Sequence, residues 1–375
     1  MRLRGMCVSF LVMGTMRFAI YLVLLAPLSG HAGGTLNIYN WADYIGPETL
    51  SAFAHEYDVS VNYDIYDTSQ IVDAKLMTGN SGYDVVVHSA ANAGRLLPIG
   101  VFHALDRSRL KNWSNLDPAL LAKFADFDPG NRYGSPYMWG TTGFSYNREM
   151  LLERVPQAPL DSAALVFDPD VISRFADCGV SLLDDGATVI GMALLYLGRD
   201  PNSVDPNDLA KAGEVLGRIR PYIRYFSSGR LLNDLPSEEI CIGMSWSGDY
   251  AIASRRAEAA GLQLDLGYVV PKEGALMWFD VAYIPSDARN LDNAYLFLDY
   301  LNRPEVIADI TDFTGYANIN IRANELVDPE ISGDPAIYPT PQVLARLHPS
   351  YTLSPKSERQ RSRLWTRIKA GLVEQ

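Results

Sequence analysis

Three of the six tryptophans in this chain are followed by an aspartate two or three positions on: Trp41 and Asp43 in "NWADY", Trp246 and Asp249 in "WSGDY", Trp278 and Asp280 in "WFD". The combination suits an organic cation. A buried ammonium must meet a carboxylate, or desolvation outweighs what it gains. Indole faces attract cations and also cover methylene chains. An acid at either end and aromatic plates between would fit an extended diamine, with Asp43 at one end and Asp249 with Asp280 at the other. Trp41, Trp246, Trp278 and Tyr316 would form the box. Carbohydrate is the competing ligand for an aromatic-plus-acid pocket. Plainer roles also exist: Trp41 and Tyr44 could plug a strand–helix turn, and Asp249 could cap a helix over "YAIASRRAEAA".

Other chemistries fit less well. "GMSWSG" places Ser245 in a partial nucleophile-elbow pattern, but Ser247 stands where the last glycine belongs, and the only downstream histidine is His348 in the tail. The acid pairs could serve a glycosidase. A ferric-ion binder would want adjacent tyrosines, and no Tyr-Tyr pair occurs. There is no CxxC, and His55, His88, His103 and His348 are widely scattered, so no zinc site is expected. The expectation is a binder with no catalytic residues, no metal and no cofactor.

The elements that must position these residues alternate. "TLNIYN" and "VSVNYDIYD" read as strands, and "YDVVVHS" as a central parallel strand. "PETLSAFAHEY" and "SQIVDAKLMTG" between them read as helices, the first opened by Pro47 and the second stopped by Gly79. This β-α-β-α-β order predicts a parallel sheet, with ligands bound beyond its carboxyl ends, where "WADY" begins and Ser89 sits. "YGSPYMWGTTGFSYN" is long enough to pass to a second lobe, and "ALMWFDVAYIP" could bring the chain back. The tail, "ERQRSRLWTRIKAGL", is basic and helical in pattern.

The first 32 or so residues read as a signal peptide. Arg2, Arg4 and Arg17 precede or flank the apolar "FAIYLVLLAPLSG", and "GHA" ending at Ala32 suits cleavage. Met16 would serve equally as a start. Cleavage would remove those arginines and no acid, making the formal net charge of −12 still more negative. Such a surface disfavours nucleic acid and anionic lipid and attracts cations. Cleavage also removes Cys7. Cys178 and Cys241 then read as one disulfide of an exported protein, with two buried thiols as the alternative.

Against this background the chain resembles the periplasmic polyamine-binding proteins of ABC importers, the putrescine- and spermidine-binding group. The likeness runs from "LNIYNWADYI" to the basic tail, through "GYDVVVHSA", "PYMWGTTGFSYN", "CGVSLLDD", "YLGRDPNS", "IRYFSSG", "SWSGDY", "PKEGALMWFDVAYIP" and "GYANIN". It implies a two-lobed type II binding fold, each lobe a mainly parallel sheet flanked by helices, closing at a hinge. The lobes would comprise 33–138 with 279–325, and 139–278 with a C-terminal helical segment, 326–375, packed on it. The resemblance implies that Trp41, Asp43, Tyr44, Ser89, Trp246, Asp249, Trp278, Asp280 and Tyr316 line the cleft, and that Cys178 and Cys241 are a disulfide pair. It implies a periplasmic monomer that takes a polyamine, putrescine first, to an inner-membrane ABC permease. Spermidine, agmatine or another diamine, or a sensor role, are the alternatives. Three positions depart from the putrescine-binder pattern: Ala42 where a hydroxyl residue is usual, Thr188 where a further acid is usual, and Trp278 in place of Phe.

Overall fold

A computed structural model describes residues 33–373 apart from positions 67 and 352. The signal peptide expected over 1–32 lies outside the described residues. The alternating segments form β1 (Gly34–Trp41), β2 (Val59–Tyr66) and β3 (Val85–Ser89), joined by α1 (Pro47–Tyr57) and α2 (Ser69–Met77). Pro47 opens α1 because its missing N–H costs nothing in a first turn. Phe53 then points inward from α1, fully buried. β1 pairs in parallel with β2 on one side and β3 on the other. Ser89 ends β3 and caps α3 (Ala90–Leu96), its hydroxyl accepting from the Asn92 amide.

The remaining strands are β4 (Gly134–Asn147), β5 (Val180–Leu182), β6 (Tyr225–Phe226), β7 (Ile242–Trp246), β8 (Leu266–Val269), β9 (Ala275–Tyr283), β10 (Ala317–Asn318) and β11 (Leu347–Pro349). β6, β5 and β7 make a second parallel triplet. The main strand order is β2-β1-β3-β9-β4-β7-β5-β6. β4 runs antiparallel to β9 over Gly134–Thr141, then antiparallel to β7 over Thr142–Tyr146. Its partner thus changes from β9 to β7 between Thr141 and Thr142. The fold is the two-lobed α/β arrangement expected, with antiparallel strands between the parallel triplets. A chain that leaves on β4 and returns through β8 and β9 must run antiparallel to its outgoing strand. Flanked on both edges, β4 is buried along its whole length. Its polar side chains therefore need internal partners, and Ser145 bonds Ser245 at 2.6 Å.

The Cys178–Cys241 disulfide, with Cα atoms 5.5 Å apart, ties together the amino ends of β5 and β7. The tail helix, Pro355–Lys369, is tied to the turn after β5, where the Trp365 indole N–H and Lys369 Nζ both donate to Asp184, at 3.3 and 2.7 Å. Among the described residues no helix is long and apolar enough to cross a membrane.

Candidate functional site

Trp41, Ser89 and Trp246 end β1, β3 and β7, so all three stand at carboxyl ends of parallel strands. From there the site is built around two tyrosine–aspartate pairs. Asp280 lies on β9 directly opposite Ser89. Its Oδ2 accepts a hydrogen bond from the Tyr44 hydroxyl at 2.9 Å. Asp249 is the third residue of the helix Ser247–Ala259, which begins where β7 stops. Its Oδ1 accepts from the Tyr316 hydroxyl at 2.9 Å, and its Oδ2 from the Trp246 backbone N–H at 3.2 Å. The plainer role at the helix start is therefore real, and it leaves the other oxygen turned to Tyr316.

The two acids stand on different parts of the sheet. Asp280 pairs with the first triplet, and Asp249 follows the last strand of the second. Tyr44 and Tyr316 meet edge to face with centroids 5.4 Å apart, and Trp278 meets Tyr316 in the same manner at 5.3 Å. An aromatic bridge thus runs between the two carboxylates. Asp280 and Asp249, expected together at one end, each have their own tyrosine. Asp43 is exposed on the turn after β1, at φ 54°, and makes no hydrogen bond to the other candidate residues. Trp41 is half-buried against Tyr66, ring centroids 4.3 Å apart.

Ser89 is restricted by its capping role. Its oxygen accepts from the Asn92 backbone N–H at 3.3 Å and from the Asn92 side-chain amide at 2.8 Å. With both lone pairs engaged, it has a proton to donate but nothing left to accept an ammonium hydrogen. Thr188 donates to Asp185, the residue that caps the helix Gly186–Tyr196, at 3.0 Å. Ala42 is exposed.

Burial dominates the electrostatics. Asp280 is 8% exposed and Asp249 6%. Desolvation pushes Asp280 up to about 7 and Asp249 up to about 6, against the opposing pull of their hydrogen bonds. Burial, then the neighbouring carboxylates, hold Tyr44 and Tyr316 well above the ordinary tyrosine range, so both stay protonated donors. The Trp41 indole N–H lies near enough to Asp280 to favour its charged form. Neither it nor the Trp278 indole N–H has a hydrogen-bond partner, although both are buried. The site therefore holds two costly carboxyl groups between aromatic walls, and a cation is the species that would restore their charge.

Neither nucleophile candidate from the sequence joins them. Ser245 is fully buried and bonded to Ser145, and His348 lies apart on β11. Two participants escaped the sequence reading. A side chain on Gly248 would place its Cβ 2.5 Å from the Tyr316 ring, so this glycine lets Tyr316 reach Asp249. The small residue between Trp246 and Asp249 was the available signal. Tyr268, bonded to Thr141 at the crossing point and close enough to Asp249 to feel its charge, had no signal at all.

Residues 48–340 match the family described as bacterial extracellular solute-binding protein. The chain belongs to this solute-binding family. It is 44% identical over 339 residues to the putrescine-binding periplasmic protein PotF of Escherichia coli K12, covering 90% of this chain and 92% of that one. It is 42% identical over 337 residues to the putrescine-binding periplasmic protein SpuD of Pseudomonas aeruginosa UCBPP-PA14, with the same coverage. In three dimensions this solute-binding protein is similar to the spermidine/putrescine ABC transporter substrate-binding protein PotD of Streptococcus pneumoniae. The TM-score is 0.78 at 29% identity, over 90% of this chain and 99% of that one. The family captures solutes and is not enzymatic.

Proposed function

We propose that the protein captures a polyamine in the periplasm, putrescine foremost, and delivers it to the inner-membrane permease of an ABC importer. The observation that carries this is the pair of buried carboxylates, Asp249 and Asp280, on facing lobes under aromatic walls. An extended diamine has one ammonium for each, and Trp41, Trp246 and Trp278 supply faces for its methylenes. The polyamine ligands of the relatives PotF, SpuD and PotD support the same reading. In this reading residues 33–138 and 279–325 form one lobe, and 139–278 the other with 326–375 upon it. The hinge is where β4 changes partners. Trp41, Tyr44, Ser89, Trp246, Asp249, Trp278, Asp280 and Tyr316 face the cleft, with Ser89 as a donor only and Asp43 on the exposed turn beside it. The protein acts as a monomer, and its acidic surface has no use for nucleic acid.

Calorimetric titration with putrescine, cadaverine, spermidine and agmatine tests the proposal, with a neutral disaccharide as control. A saturable heat with the amines and none with the sugar is expected. No heat and no thermal shift with any amine would overturn it.

A further inference from the structure

The helix Ser247–Ala259 does more than carry Asp249. Gly248, Ala251 and Arg255, spaced by three and four, fall on one face, and that face meets the end of the helix Pro304–Thr314 on the other lobe. Arg255 Nη1 donates to the Asp312 carbonyl at 2.5 Å, and Nη2 to the Phe313 carbonyl at 3.0 Å. Carbonyls in a last helical turn lack intrahelical donors and carry the negative end of the dipole. A guanidinium fork satisfies two of them at once. Gly315 closes that helix at φ +76°, where a Cβ would stand 2.8 Å from the Ala251 Cβ and 3.3 Å from Arg255 Nη2. Both helices are thus shaped for close approach. Arg255 makes no hydrogen bond to Asp249, Asp280 or the cleft tyrosines.

We propose that Arg255 is a latch between the lobes: it holds the closed form by capping the opposite helix, and so sets affinity without touching ligand. The inference rests on the solute-binding reading above. When only the closed form binds tightly, apparent affinity scales with the fraction closed. Loss of the latch must therefore weaken every ligand by one common factor. A residue lining the pocket would instead discriminate among ligands by length and charge.

The test uses the mature protein with Arg255→Ala and Arg255→Gln, titrated calorimetrically with putrescine, cadaverine and spermidine. Small-angle scattering is recorded without ligand and at saturation. Expected is a loss on the order of tenfold, equal for all amines, with a larger radius of gyration only in the ligand-free state. Unchanged affinities, losses that differ among the amines, or ligand-free scattering identical to the parent would each overturn the latch. If the parent binds none of the amines, the polyamine reading fails, and ligand-free scattering still decides the latch. If Arg255→Ala does not fold, Arg255→Gln, which keeps most of the stem, carries the same comparison.

Discussion

Binding of a diamine should expel protons, and the amount follows from the two buried acids. Asp280 sits at about 7 and Asp249 at about 6 in the unliganded site, both raised by burial. Alkylammonium groups titrate near 10 and stay charged, so the complex requires both carboxylates ionised. At pH 7 about half of Asp280 and about a tenth of Asp249 must lose a proton, roughly 0.6 proton per ligand. Between pH 8 and pH 6 the same linkage weakens affinity about 20-fold, about 10-fold of it from Asp280. Titrations in phosphate and in Tris at pH 7 measure the release, because the apparent enthalpy shifts with the buffer's ionisation heat. Asp280→Asn should bind more weakly and keep only the shallow, about twofold pH dependence of Asp249. Stability has the opposite sign. A carboxyl whose pKa is raised on folding binds more protons in the folded state between about pH 4 and pH 7, so the free protein loses stability as pH rises through that window. For Asp280 the loss is roughly 4 kcal/mol. The thermal shift produced by putrescine should therefore be larger at pH 8 than at pH 5.5. Buffer-independent heats and a flat affinity from pH 6 to 8 would show that the acids are already ionised in the free protein, and the reasoning would fail.

Three further outcomes are expected. Asp249→Asn should weaken amine binding more than tenfold, since truncating one partner of a buried charge pair costs roughly 2–5 kcal/mol and tenfold is about 1.4; a smaller loss by calorimetry removes Asp249 from the anchors. Gly248→Ala puts a Cβ 2.5 Å from the Tyr316 ring and should separate Tyr316 from Asp249, weakening binding about tenfold, the worth of one hydrogen bond to a charged group, while the unliganded melting temperature stays near the parent's. Replacing Cys178 and Cys241 by serine opens a loop of sequence separation 63 and should cost roughly 4 kcal/mol of stability in chemical denaturation, with affinity unchanged, because the bridge ties the amino ends of β5 and β7 while the site lies at the carboxyl end of β7.

What the sequence made legible was periodic, and what it hid was long-range. Alternation in "TLNIYN" and the Pro47 start of α1 are local signals, and both elements appear where expected. The Trp–Asp spacing likewise marked Asp249 and Asp280, since each indole and acid lie within one turn or strand end. Which acid joins which part of the sheet was not local. Asp280 owes its place to pairing with Ser89, far away in the chain, and Asp249 to a helix that starts after β7. The similar pattern in "NWADY" put Asp43 on equal footing with these two, yet the turn after β1 sends its side chain to solvent and gives the inward position to Tyr44. The distinction matters chemically. An exposed carboxylate is already hydrated and adds little to a cation's affinity. A buried one stays partly protonated near neutral pH until the cation arrives, so its response to pH marks it as an anchor. Titrating Asp43→Asn beside Asp280→Asn makes the contrast measurable: the first should leave the pH dependence of binding intact, and the second should flatten it.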